Sequence, residues 1–238
     1  MQAIYEGKAK RLFETDNPNE LLMEFKDDAT AFNGEKHAKF EQKGSLNKSL
    51  SVLLYKLLEK ENLPTHFVED RDDTHIIVKR VDIILIEVVV RNYVAGSLQK
   101  RTGLEEGHRL RQPIVEYYYK SDELGDPFIT DDHICELKLA TSDELVKIKR
   151  QALKVNQILV RFFAKVGIQL VDFKLEFGRL YPDRYNVVLA DEISPDTCRL
   201  WDESSGKKLD KDRFRSDLGG VMEAYAEVLS RAEAAFES

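Results

Sequence analysis

Leu170-Val171-Asp172-Phe173-Lys174-Leu175-Glu176-Phe177-Gly178 places a charged side chain at every second position and an apolar one between. Period two belongs to a β-strand, so Asp172, Lys174 and Glu176 project from one face while Phe173, Leu175 and Phe177 pack on the other. Pro182-Asp183 is a turn pair, and Tyr185 to Glu192 reads as the returning strand of a hairpin that begins at Ile168. A turn centred on that pair sets Lys174 opposite Asp191 and Glu176 opposite Leu189, leaving Glu176 and Asp191 diagonal neighbours on one face. Two carboxylates held together raise one another's pKa unless a cation lies between them, and a hard, oxygen-seeking ion such as magnesium suits the pair. Magnesium commonly takes one or two protein carboxylates and completes its shell with water and phosphate oxygens, so Glu176 and Asp191 suffice for a nucleotide site. A surface hairpin with a Lys174–Asp191 ion pair, worth only about 0–1 kcal/mol if exposed, fits the same spacing.

Upstream, Ile4 to Thr15, Leu21 to Lys26, His75 to Val81 and Ile83 to Val94 are rich in β-branched or aromatic residues and bounded by turn formers, which predicts strands. Leu46, Leu50, Leu53, Leu54, Leu57 and Leu58 share one helical face between Gly44-Ser45 and Pro64. Gly103 to Asp132 has no clear period and reads as an ordered loop region with a turn at Gly125-Asp126-Pro127. Thr141 with Glu144 is a capping box, and Leu145, Ile148, Ala152, Val155, Leu159, Phe162 and Val166 carry an apolar stripe to Gly167. Lys211 to Phe236 reads as one last long helix. This order predicts an α+β fold: a small antiparallel-sheet lobe, residues 1–82, covering a nucleotide, packed on a larger mixed α/β lobe, residues 83–238, with the substrate and metal sites. The cleft between them is the expected nucleotide site.

A chain of 238 residues can bury a core without disulfides, and Cys135 and Cys198 show no metal-binding spacing. The amino-terminal stretch is charged, without the apolar core of an export signal, and Ile83 to Val90 is too short to cross a bilayer, so no membrane association and a reducing cytoplasm are expected. With 36 basic and 43 acidic side chains the formal charge is −7, which excludes a general attraction for nucleic acid.

Gly7-Lys8-Ala9-Lys10-Arg11 offers a glycine for close backbone approach and two lysines for phosphates, although a β-turn with solvated lysines reads the same way. Arg91 ends an apolar strand and Ala95-Gly96-Ser97 opens a short helix; a phosphate gripped by Arg91 and Ser97, or a serine cap beside an arginine salt bridge, both fit. Neither a Gly-x-x-x-x-Gly-Lys-Ser/Thr loop nor a Gly-x-Gly-x-x-Gly segment is present.

Ile86-Glu87-Val88-Val89-Val90-Arg91-Asn92-Tyr93-Val94-Ala95-Gly96-Ser97 and Leu170 to Gly178 resemble the two signature segments of the phosphoribosylaminoimidazole-succinocarboxamide synthase (SAICAR synthetase) family. Further likeness runs in order through Tyr5-Glu6-Gly7-Lys8-Ala9-Lys10, Thr30-Ala31-Phe32-Asn33-Gly34, Asp191-Glu192-Ile193-Ser194-Pro195-Asp196, Arg199-Leu200-Trp201-Asp202 and Asp210-Lys211-Asp212-Arg213-Phe214-Arg215. Two departures are visible. Leu85 stands where the family usually has proline, which touches only the backbone entering the Glu87 strand, and Asn33 stands where some relatives carry aspartate.

The resemblance implies a SAICAR synthase-like fold and an ATP-dependent ligase of purine biosynthesis. ATP and magnesium would activate the carboxylate of carboxyaminoimidazole ribotide as an acyl phosphate, and the amine of L-aspartate would displace phosphate to leave an amide. It assigns Glu176 and Asp191 to the metal, Gly7, Lys8 and Lys10 to the ATP phosphates, and Val78, Lys79 and Asp82 to the adenine. It gives Lys174 to the carboxylate under attack, Asp172 to the imidazole or its amine, and Arg91, Ser97 and Arg199 to the 5′-phosphate. Lys211 and Arg215, and more remotely Lys120 and Asp126, would contact substrate, and the assembly would be a homodimer. A kinase-like phosphotransferase and a catalytically silent nucleotide-binding module are the rivals; the first lacks His-Arg-Asp and Asp-Phe-Gly segments.

Overall fold

The computed structural model describes residues 2–31 and 35–237, and the strand-like stretches of the first third form strands in it, although Ile4 to Thr15 is broken into two around Gly7-Lys8-Ala9 and His75 to Val81 is interrupted at Arg80. Strands β1 (Tyr5–Glu6) and β2 (Lys10–Glu14) form a hairpin, β3 (Glu20–Phe25) follows, and β4 (Asp28–Ala31) pairs with β5 (Lys36–Lys39) as a separate ribbon. Helix α1 (Lys43–Lys60) leads to β6 (Phe67–Asp70) and β7 (His75–Lys79), completing a five-stranded antiparallel sheet in the order β1-β2-β3-β7-β6. Register sets Leu21 beside Val78 and Met23 beside Ile76, all buried, and Leu50, Leu54 and Leu58 of α1 join them in one apolar cluster. Each such side chain contributes about 1.5–3 kcal/mol by leaving water.

The chain continues through β8 (Val81–Ile83), β9 (Ile86–Tyr93), α2 (Gly96–Thr102), β10 (Arg109–Tyr119), β11 (Phe128–Ile129), α3 (Asp131–Glu136) and α4 (Ser142–Ala164). It ends with β12 (Ile168–Leu180), β13 (Val187–Ala190), β14 (Cys198–Asp202), α5 (Asp212–Arg215) and α6 (Val221–Glu237). The second sheet runs β11-β10-β9-β12-β13, with β14 and β8 also paired to β12. β12 is its hub: the first half lies between β9 and β14, the second between β13 and β8. β8 contains the expected boundary at residue 82 and pairs with β12 through Gly178, where a Cβ would lie 2.7 Å from Val81 Cβ.

Helix α4 covers this sheet with Leu145, Ile148, Ala152, Val155, Leu159 and Phe162 buried, as its stripe predicts. Its capping box is present: Glu144 N–H donates to Thr141 Oγ1 at 3.2 Å and Thr141 N–H to Glu144 Oε2 at 2.8 Å. Both cysteines are free. Among the described residues no helix is long and apolar enough to cross a membrane.

Three expectations are corrected. Gly103 to Asp132 is not a loop region: β10 is 11 residues long, and its first half is exposed, so no apolar alternation marks it. Lys211 to Phe236 is not one helix, because Asp217, Gly219 and Gly220 take φ of 54°, 64° and 59° and divide α5 from α6. The hairpin register is shifted by one: Glu176 faces Ala190 and Phe177 faces Leu189, because Leu180 N–H bonds Asn186 O and centres the turn on Asp183.

Candidate active site

Register places two arginines on either side of Asp172. β9 sets Arg91 directly across from it and β14 sets Arg199 across on the other edge. Arg91 Nη1 donates to Asp172 Oδ2 at 2.6 Å, and Arg199 Nη1 to the same oxygen at 2.9 Å and to Oδ1 at 3.1 Å. Arg91 also donates through Nε to Glu116 Oε2 at 2.6 Å, and through Nη2 to Ser97 Oγ at 2.8 Å and Tyr118 hydroxyl at 3.1 Å. Arg199 Nε reaches Asp212 Oδ2 at 2.7 Å, and Arg215 Nη1 reaches Asp212 Oδ1 at 2.5 Å. Burial works against the charge on Arg199, but Asp172 and Asp212 outweigh it and raise its pKa. Gly96, at φ 54°, makes room: a Cβ there would lie 2.6 Å from Arg199 Nη2. Arg91, Ser97, Arg199 and Arg215 are thus joined in one cationic cluster braced from beneath by buried acids. Asp172 gives both its oxygens to the arginines.

Farther along the same face of β12, Lys174 Nζ donates to Glu176 Oε1 at 2.8 Å and to Glu87 Oε1 at 2.9 Å, and lies 3.7 Å from Asp191 Oδ2. Glu176 is 2% exposed, and its other oxygen accepts from Lys120. Asp191 accepts from Lys10, whose ammonium also reaches Glu192 Oε1 at 2.8 Å. Lys10 begins β2, so the first sheet touches the hairpin of the second here. Burial alone would raise the Asp191 pKa, but Lys10, Lys174 and Lys120 hold it well below the carboxylate range. Burial likewise opposes charge on Lys174, yet Glu176, Asp191 and Glu87 raise its pKa well above the ordinary value.

The carboxylates of Glu176 and Asp191 therefore meet around one ammonium despite the shifted register, because Asp191 lies just beyond β13, at φ 59°, and leaves the strand direction. Among the described residues no group of three or more His, Cys, Asp or Glu side chains could enclose a metal. Two convergent carboxylates are what magnesium takes when phosphate and water complete its shell, so the donor set fits that ion.

Lys8 pairs with Asp122 at 2.6 Å in an exposed contact, while Gly7 N–H bonds Lys10 O at 2.9 Å to close the turn between them. Val78 is buried in the sheet core, Lys79 Nζ donates to Thr65 O at 3.0 Å, and Asp82 pairs with Arg184 at 2.5 Å. Lys211 precedes α5; burial lowers its pKa, partly offset by Asp196. Asp126 Oδ1 accepts from Ser121 N–H at 2.9 Å and shapes the loop that carries Lys120. Leu85 is exposed and its carbonyl accepts from Lys120 N–H at 3.1 Å. Asn33 lies outside the described residues.

Sequence reasoning gave no role to Glu116, Tyr118, Glu192 or Asp212. Glu116 and Tyr118, two apart, carried the strand signal that the exposed half of β10 obscured. Glu192 and Asp212 sit inside quoted motifs, but only the fold discloses their partners, Lys10 and Arg199.

Comparison with known proteins gives the family. The SAICAR synthetase family model matches residues 3–232. A phosphoribosylaminoimidazole-succinocarboxamide synthase from Akkermansia muciniphila is 59% identical over 98% of this chain and 99% of its own length; one from Nautilia profundicola is 58% identical over 97% and 98%. The crystal structure of the Ehrlichia chaffeensis synthase superposes with a TM-score of 0.96 at 50% identity, covering 98% of this chain and 99% of that one. A SAICAR synthetase in complex with ADP superposes with a TM-score of 0.92 at 54% identity, covering 96% of each. With near-complete coverage by sequence and structure alike, the chain belongs to the SAICAR synthetase family.

Proposed function

We propose that this chain is an ATP-dependent ligase of purine biosynthesis that condenses 5-amino-1-(5-phosphoribosyl)imidazole-4-carboxylate with L-aspartate to give the succinocarboxamide, ADP and phosphate. The observation that carries this reading is the row on β12: Asp172 between two arginines at one end, Glu176 beside Lys120 and Asp191 at the other, Lys174 between them. A strand rises about 3.3 Å per residue, so the ends are about 13 Å apart with Lys174 halfway. A ribotide with its 5′-phosphate on Arg91, Ser97 and Arg199 would direct its carboxylate toward Lys174, whose ammonium neutralises the charge that a phosphoryl group must approach.

Residues 1–82 form the lobe covering the nucleotide in this reading, with the adenine along the backbone from Val78 to Asp82 and the phosphates at Gly7, Lys8 and Lys10. Residues 83–238 hold the substrates. A magnesium ion held by Glu176 and Asp191 would offset charge on the phosphate oxygens. Lys211, half-buried near Asp196, and Arg215 would meet a substrate anion, and Lys120 with the loop shaped by Asp126 would close over the row. The family reading also makes the protein a cytoplasmic homodimer.

The test is product formation. Phosphate release should require L-aspartate, the carboxylated ribotide, ATP and Mg2+ together and should yield the amide. Transfer to a hydroxyl acceptor would point to a phosphotransferase, and ATP binding without amide under any combination to a silent module.

A further inference from the structure

Lys43, Asn47, Ser51 and Tyr55 recur every fourth residue along α1, and all four are 0–1% exposed. Such spacing makes one stripe on a helix, and burying polar groups is unfavourable unless they find partners. Three of them find partners in a single segment. Tyr55 hydroxyl donates to Asp191 O, Ser51 Oγ donates to Ile193 O at 3.1 Å, and Lys43 Nζ forms an ion pair with Asp196 Oδ2 at 2.6 Å that is poorly aligned for a hydrogen bond. From Lys43 to Tyr55 the helix rises about 18 Å, and the partners follow in reverse chain order, Asp196, Ile193 and Asp191, with a turn at one end closed by Thr197 N–H on Ser194 O at 3.0 Å. The segment runs antiparallel to the helix.

We infer that this buried stripe is a positioning device that fixes the acidic segment 191–196, with Tyr55 holding the backbone of Asp191. Asp191 is a non-glycine residue at φ 59°, in the left-handed region, which aspartate enters more readily than most residues but still at a conformational cost that its contacts must offset. The Tyr55 hydroxyl has one proton, which goes to Asp191 O, so His66 Nε2, 3.3 Å away and buried, supplies a second hydrogen bond to the hydroxyl oxygen. The Tyr55 ring meets His66 edge-on at 5.4 Å and stacks on Phe67 at 5.7 Å, contacts that phenylalanine would retain.

The inference rests on the proposed metal role of Asp191, and the experiment separates the two. ADP binding is measured calorimetrically as a function of Mg2+ in the full chain, with the unfolding temperature read in parallel. Tyr55→Phe and Ser51→Ala should each raise the Mg2+ concentration for half-maximal ADP binding about three- to tenfold, the worth of one hydrogen bond. Leu54→Val, on the same helix but in the apolar core, should lower the unfolding temperature without moving that concentration. If both stripe variants keep the wild-type Mg2+ requirement while Asp191→Asn raises it, the stripe is only packing and the metal assignment stands. If Asp191→Asn also leaves it unchanged, the metal assignment falls and this inference with it. Should Tyr55→Phe not fold, Ser51→Ala decides.

Discussion

Glu176 holds two ammonium groups at once while almost wholly buried, and that arrangement is legible only in part from its neighbours in the chain. Period two gives the shared face of Asp172, Lys174 and Glu176 directly, because side-chain alternation is a local property of a strand. The partners are not local: Lys10 meets Asp191 across 181 positions and Lys120 meets Glu176 across 56. The convergence of Glu176 and Asp191 was expected from a register that proved to be off by one; it survives because Asp191 leaves the strand at a left-handed residue. Glu176→Gln and Asp191→Asn should each lower turnover at least about a hundredfold, since a preorganised charge at a phosphoryl site is worth about 3 kcal/mol. Steady-state kinetics with saturating substrates checks this, and near-normal turnover in both would remove the assignment.

The elements that carry their own signals were readable. α4 announces itself by its capping box and stripe, while β10 depends on pairing with β9 for an identity that its exposed half does not encode. The clamp between α4 and β12 is a pair of hydrogen bonds from Arg179 to Glu144, at 2.6 and 3.0 Å. Arg179 first, and the Thr141 N–H after opposing burial, push the Glu144 pKa down to about 2. A depressed carboxyl contributes stability that is present above its unfolded pKa and lost as pH falls through the folded one. The advantage of wild type over Glu144→Gln, about 1 kcal/mol for a partly exposed pair, should therefore be full above pH of about 4.5 and vanish toward about 2. Denaturant unfolding at several pH values reads it. At the start of α2, Gly96→Ala combines a left-handed residue with a contact against Arg199. It should raise the ribotide KM about tenfold through loss of bidentate anion contacts and leave the ATP KM unchanged; equal effects on both would mean general disorder rather than a displaced arginine.

Across the whole molecule, two antiparallel sheets meet where β2 brings Lys10 to the end of β13, and the central strand of the larger sheet spaces the two ends of the site. The order of strands and helices was enough to suggest an α+β protein with sheet-rich beginnings, but not that β12 pairs with four other strands, a fact of topology that no single segment contains. This hub is why the row on β12 is rigid: each residue from Asp172 to Glu176 is fixed by its cross-strand neighbours before any ligand arrives. The most direct measurement is anomalous diffraction from crystals grown with Mn2+ in place of Mg2+ and with ADP. The account predicts a manganese peak within coordination distance, about 2.2 Å, of carboxylate oxygens of both Glu176 and Asp191, and in contact with the diphosphate. A peak bound elsewhere, or a diphosphate lying away from these two side chains, would contradict it.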